Sequence, residues 1–208
     1  MKKTILYLTL IYSFFNIDIN ARVLPQDVIW NNDETGYYTI DENSIVLVST
    51  IGKKDKKILS SEDVKNKKIE SFSFSQDKKN VLIYTNSVRV WRYNTRGNYW
   101  VYNLKTKQGK RLGSTLPNRS LMFAKFSPNG EKIAYVSKEI IPNSFRNSST
   151  RANIYLETIE DNSIVKLTES DEKGKIINGT FDWVYEEEFS CRDGFLFNDN
   201  SDKIAFWQ

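Results

Sequence analysis

Residues Asp182-Trp183-Val184-Tyr185-Glu186-Glu187-Glu188 set three adjacent carboxylates, with a fourth close by, among large apolar side chains. Carboxylates this close repel one another and raise one another's pKa, so a site that keeps them ionised has a cation to offer. On a strand, Glu187 and Glu188 would face opposite sides. On a helical turn they lie about 100° apart and can converge on one ligand. Tyr185 and Phe189, four apart, then share a face that anchors the turn. The pattern predicts a short helix with its apolar side pinned and its carboxylates projecting. An α-ammonium fits such a pair, because its three N–H donors can satisfy two carboxylates while balancing charge. A solvated acidic turn accounts for the same residues without a ligand, and the chemistry alone leaves both readings open.

A second cluster is Trp91-Arg92-Tyr93, followed by Arg96 and Tyr99-Trp100. An Arg among aromatics can stack on a ring and still present its fork to a carbonyl or carboxylate. Ordinary strand packing produces the same neighbours. Asn31, Asp33, Thr35, Gly36 and Glu42 fall at calcium-loop spacing, but no helices flank them and Tyr37 to Ile40 reads as strand, so no metal is assigned. The sequence holds no histidine and one cysteine, Cys191. These residues therefore cannot assemble a Ser-His-Asp triad, a Cys/His nucleophile pair, a Cys/His zinc site or a disulfide of their own. No cofactor is implied.

The elements that must position these groups are short. After the first residues, Val28-Ile29-Trp30, Tyr37 to Ile40, Ser44 to Val48, Val81 to Tyr84, Tyr99 to Tyr102 and Asn153 to Leu156 read as strands, β-branched or aromatic and separated by polar turns. A hairpin recurs three times. Phe72-Ser73-Phe74-Ser75 leads into Val81 to Tyr84, Ala124-Lys125-Phe126-Ser127 into Lys132 to Tyr135, and Phe195-Leu196-Phe197-Asn198 into Lys203 to Phe206. Hairpins recurring every 40–50 or so residues mark a β-propeller of four-stranded blades more than a β-sandwich. The fold class expected is all-β, a partial propeller of three to four blades with one short inserted helix carrying the acidic run. The longer last interval holds two insertions, Pro142 to Arg151 and Asn178 to Arg192.

With 30 basic and 26 acidic side chains among 208 residues, the chain is mildly basic. The cluster Lys53-Lys54-Asp55-Lys56-Lys57, with Lys65, Lys67 and Lys68, reads as a solvated turn, and no nucleic-acid partner is expected. Hydrophobic residues at 39% suit a packed core. Lys2-Lys3 ahead of an apolar stretch from Ile5 to Phe15 has the form of a signal peptide over residues 1–21, which predicts export to the periplasm or exterior. Membrane attachment would come only from leaving that leader uncleaved.

The run Asn178-Gly179-Thr180-Phe181-Asp182-Trp183-Val184-Tyr185-Glu186-Glu187-Glu188-Phe189 resembles the double-glutamate motif of the dipeptidyl peptidase IV family, serine exopeptidases of the prolyl oligopeptidase group. Val90-Trp91-Arg92-Tyr93, ahead of Tyr99 to Leu104, is similar to that family's segment with a substrate-binding Arg. The resemblance implies that Glu187 and Glu188 hold a peptide's free amino terminus and that Arg92 contacts its P2 carbonyl. Asp182, Trp183, Tyr185 and Glu186 would support them. Asp193-Gly194-Phe195 and Phe206-Trp207-Gln208 fit the bacterial branch, whereas Leu196-Phe197-Asn198 stands where those relatives carry Arg-Trp-Ser.

The resemblance also implies a division into a leader at 1–21 and an incomplete N-terminal propeller at 22–208, without the α/β-hydrolase domain that carries the catalytic residues. The expected function is the substrate-gating part of a secreted dipeptidyl aminopeptidase, from a truncated or split gene and not catalytic by itself. Its partners would be a peptide amino terminus and a catalytic domain or second chain, and family members often dimerise. A non-catalytic peptide-binding propeller module and a non-functional remnant are the alternatives.

Overall fold

The computed structural model describes residues 28–65, 67–90, 92–140, 150–171 and 175–208. The leader and most of the Pro142–Arg151 loop lie outside them. The described chain forms antiparallel meanders in which each strand pairs with its neighbour in sequence. The first comprises β1 (Ile29–Trp30), β2 (Gly36–Asp41), β3 (Ser44–Ser49) and β4 (Lys56–Leu59). The second comprises β5 (Ser71–Phe74), β6 (Asn80–Val90), β7 (Tyr93–Asn103) and β8 (Gly109–Arg111). The third comprises β9 (Leu121–Phe126), β10 (Lys132–Ile140), β11 (Thr150–Thr158) and β12 (Ile164–Lys166). A final hairpin, β13 (Phe195–Phe197) with β14 (Ile204–Phe206), opens a fourth unit. These are three propeller blades and the start of another, as the repeat implied.

The repeated hairpin is built by one turn used three times. The backbone N–H groups of Ser75, Ser127 and Asn198 donate to the carbonyls of Asn80, Lys132 and Lys203. Three residues on, the N–H groups of Lys78, Gly130 and Ser201 return to the carbonyls of Ser75, Ser127 and Asn198, each donor residue having positive φ. The side-chain oxygens of Ser75, Ser127 and Asn198 accept from the N–H groups of Asn80, Lys132 and Lys203. A short polar side chain that bonds its own turn is what the position requires, which is why Ser and Asn interchange there.

Apolar residues alternate along the strands to fill the spaces between blades. Ile45, Leu59, Val64, Phe72, Val81 and Ile83 join blade one to blade two. Leu82, Val101, Leu112, Leu121, Ile133 and Tyr135 join blade two to blade three, and Met122, Ala134, Ile154, Phe195 and Phe197 join blade three to the last hairpin. Blades two and three also touch through the backbone at Gly97 and Leu121. A β-carbon on Gly97 would fall 2.4 Å from the Tyr84 ring, so this close approach requires glycine. Glu157 on β11 binds the two blades from within. Its carboxylate accepts from Gly113 N–H at 2.9 Å and Tyr135 O–H at 3.1 Å and pairs with Lys110 Nζ at 3.2 Å.

One expectation needs correction. Lys53 to Lys57 is not wholly a turn, because Lys56 and Lys57 begin β4. An edge strand tolerates exposed lysines, which discourage further pairing, so charge there does not exclude strand.

Candidate functional site

The acidic run forms the helix α1 (Trp183–Phe189) in the connection between blade three and β13. Asp182 starts it as N-cap, its Oδ1 accepting from Val184 N at 2.9 Å and Tyr185 N at 3.1 Å. Ser190 ends it in the left-handed conformation, and the N–H of Cys191 bonds back to Tyr185 O at 3.1 Å. The feet of this excursion are fixed to the sheet. Fully buried Asn178 donates its side-chain amide to Ala152 O and Asn153 Oδ1 and accepts from Gln208. Gly179 N–H donates to Trp207 O, and Thr180 bridges to Asp193. Asn178-Gly179-Thr180 has the form of an N-glycosylation acceptor, but the buried side chain of Asn178 leaves no room for a glycan.

The apolar residues of α1 stay exposed, Tyr185 included, so the expected pinned apolar side is only a cluster of aromatic rings at the surface. Tyr185 lies 5.8 Å from both Phe181 and Trp207 and 5.7 Å from Phe189, centroid to centroid. Phe189 is the outer member and stays exposed. Trp183 does not share in this packing; it is 61% exposed.

The three glutamates meet three environments. Glu186 is buried, and burial pushes its carboxyl pKa up while the charges of Lys138 and Arg192 oppose that rise. Glu187 sits against the β6–β7 hairpin tip, where Arg92 Nε is 2.8 Å from its Oε2. Both Glu187 oxygens are buried, and neither accepts a hydrogen bond among the described residues. The arginine contact is thus an ion pair whose N–H is not aligned for a hydrogen bond. Glu188 is exposed. The expectation of three projecting carboxylates therefore holds for one: helical rotation turns Glu186 into the protein, Glu187 toward the hairpin and Glu188 to solvent.

The structure brings Arg92 and Glu187 together across 95 positions of sequence, as the residue numbers give. It also adds groups that the sequence did not single out. Arg192, just past α1, stacks its guanidinium 4.0 Å from the Tyr93 ring, so the hairpin tip is tied to the α1 segment twice. Lys138 on β10 supplies charge behind Glu186. Neither could be found from spacing, since Lys138 meets Glu186 and Arg192 meets Tyr93 across long stretches of sequence. Arg96, grouped with Arg92 by sequence, lines a cavity with Lys138 to which Arg92 does not contribute.

The arrangement offers a buried anion with unfilled acceptor capacity beside an exposed guanidinium and an exposed second carboxylate. Such a site suits a ligand with a cationic hydrogen-bond donor at one end and an acceptor nearby.

The family described as dipeptidyl peptidase IV (DPP IV) N-terminal region matches residues 75–208. Dipeptidyl aminopeptidase B of Saccharomyces cerevisiae is 33% identical over 142 residues, covering 68% of this chain and 14% of that protein. Human prolyl endopeptidase FAP is 30% identical over 159 residues, covering 76% of this chain and 19% of that protein. The crystal structure of Porphyromonas gingivalis dipeptidyl peptidase 4 superposes with a TM-score of 0.66 at 21% identity, over 84% of this chain and 24% of that one. The chain thus spans under a fifth of the length of these curated relatives. With its repeated hairpins, its inserted acidic helix and these likenesses, the chain belongs to the dipeptidyl peptidase IV family, in its N-terminal β-propeller region.

Proposed function

We propose that this chain is the substrate-gating N-terminal part of an exported dipeptidyl aminopeptidase, and that Glu187 and Glu188 hold the free amino terminus of a peptide. Arg92, ion-paired to Glu187 and otherwise exposed, orients the P2 carbonyl. Asp182 supports the pair by capping α1, Tyr185 by anchoring it, and Glu186 by fixing its buried side against Lys138 and Arg192; Trp183 frames the exposed side. Bond cleavage needs a general base that these residues lack, as they contain no histidine. An α/β-hydrolase domain, in the same protein or a second chain, supplies it. Export rests on the Lys2-Lys3 leader pattern; among the described residues no helix is long and apolar enough to cross a membrane.

The observation that carries this reading is the buried Glu187 carboxylate, whose oxygens accept no hydrogen bond among the described residues and meet only the Arg92 ion pair. Buried acceptors are nearly always hydrogen-bonded, so a carboxylate that meets only the Arg92 ion pair, at a family motif, has room for a further donor. The ligand's α-amino group has a pKa of about 7.7–8.0, so it arrives charged at neutral pH. Calorimetry with Gly-Pro and N-acetyl-Gly-Pro tests the reading. Saturable binding of the free dipeptide that acetylation abolishes supports it; equal binding of both removes Glu187 and Glu188 from the account.

A further inference from the structure

Between blades two and three lies a cavity of about 460 Å³ whose charged lining is unbalanced. Arg96 from β7, Arg119 from the segment before β9, Lys138 from β10 and Arg151 from β11 line it, against one carboxylate among the described residues, Glu139. Glu139 is the cross-strand partner of Arg151, so its charge lies beside that arginine. Arg119 is fixed in place: its Nε donates to Asn86 O at 3.1 Å and one Nη to Ser87 O at 2.9 Å. Those acceptors are neutral carbonyls and leave its charge uncompensated. Arg96 Nε is buried and finds no hydrogen-bond partner among the described residues. Lys138 is affected by its setting: burial pushes its amine pKa down, the Glu186 carboxylate opposes this, and the Arg96 charge adds to the fall.

Cations gathered in a partly desolvated space repel, and a buried N–H without an acceptor costs free energy. A folded chain keeps such a group where an anion completes it. Guanidinium forks match the geometry of carboxylates and phosphates, to which they bond bidentately. The cavity exceeds the size of a bare oxyanion and lies within the range of small-ligand pockets.

We propose that this cavity is a binding site for an oxyanion, a carboxylate or a phosphate borne on a larger molecule, with Arg96 and Lys138 as its principal ligands and Arg119 as a fixed third. The site is separate from the amino-terminus clamp and does not depend on that reading. Since Lys138 also faces Glu186 on α1, charge bound here is felt one residue from Glu187.

The test is calorimetry on the full chain with inorganic phosphate and with succinate, each against chloride at equal ionic strength. Saturable binding of either probe is expected, weakened about tenfold or more in Arg96→Gln, since a charge-assisted hydrogen bond is lost. Arg96→Lys, which keeps charge but not the fork, should fall between. Lys53→Gln, on a remote surface, should bind like the parent. Phosphate alone saturating identifies a phosphate-bearing ligand, succinate alone a carboxylate, and both a general oxyanion site; each supports the proposal. Absence of saturable binding for both probes, or parental affinity in both Arg96→Gln and Lys138→Gln, overturns it. Should the variants not fold, a parent melting temperature that phosphate and succinate leave unchanged relative to chloride also overturns it.

Discussion

Replacing Glu187 by methionine should strengthen the fold while removing its ligand. A buried acceptor left without a donor costs about 1–3 kcal/mol, and Glu187 Oε1 is in that state, while Oε2 meets only the Arg92 ion pair. Against this stands one ion pair to Arg92, whose side chain is 73% exposed. A pair screened to that degree returns about 0–1 kcal/mol. Glu187 also raises the free energy of its neighbour Glu186 by like-charge repulsion. Methionine is apolar and nearly the same length, so Glu187→Met removes the desolvated charge without opening a cavity. The net gain is about 1–2 kcal/mol, or roughly 2–8 °C in melting temperature for a chain of this size. Thermal and urea unfolding followed by circular dichroism at pH 7 would measure it, with Gly-Pro calorimetry on the same samples. A binding group that acts at the expense of stability is the expected pattern at a functional site. A loss of about 1 kcal/mol or more would show instead that Glu187 holds the structure together, and the reasoning from its orphaned oxygen would fail.

Other outcomes follow from the same contacts. Glu157→Ala should cost about 3–5 kcal/mol by urea denaturation, because it strands Lys110, Tyr135 O–H and Gly113 N–H at the junction of blades two and three. Gly97→Ala should destabilise by about 1–3 kcal/mol, since its new β-carbon would meet the Tyr84 ring at 2.4 Å. Asp77 is held down to about 2 by the Lys79 N–H and then by the Ser75 hydroxyl. Its contribution is present above the ordinary value of 3.8 and is lost as pH falls toward 2, so Asp77→Asn should flatten the acid limb of a urea-midpoint profile over that window.

Much of the scaffold was legible because its signals are local. The Ser75, Ser127 and Asn198 turns, with aromatic residues before and aliphatic residues after, encode each hairpin within a dozen or so residues. Asp182 and the four-residue spacing of Tyr185 and Phe189 likewise encode α1 locally. The outer strands β4, β8 and β12 were harder. Lys56-Lys57, Gly109-Lys110-Arg111 and Ile164-Val165-Lys166 carry few buried apolar residues, because an edge strand need bury little and is placed by pairing with its neighbour. The site divides the same way. The acidic triplet is visible in sequence, but which carboxylate is buried depends on how α1 sits against Lys138 and Arg192. Arg192 is near in sequence, but Lys138 comes from β10, 48 positions before Glu186, and no spacing rule reaches it.

The central claim is that a peptide's amino group completes the Glu187 carboxylate. A crystal structure of the chain with Gly-Pro bound tests it most directly. The account predicts the dipeptide nitrogen about 2.7–3.0 Å from a Glu187 oxygen and within reach of Glu188, with the P2 carbonyl turned to Arg92. A dipeptide bound elsewhere, or with its nitrogen facing solvent while Glu187 stays paired only with Arg92, would contradict it.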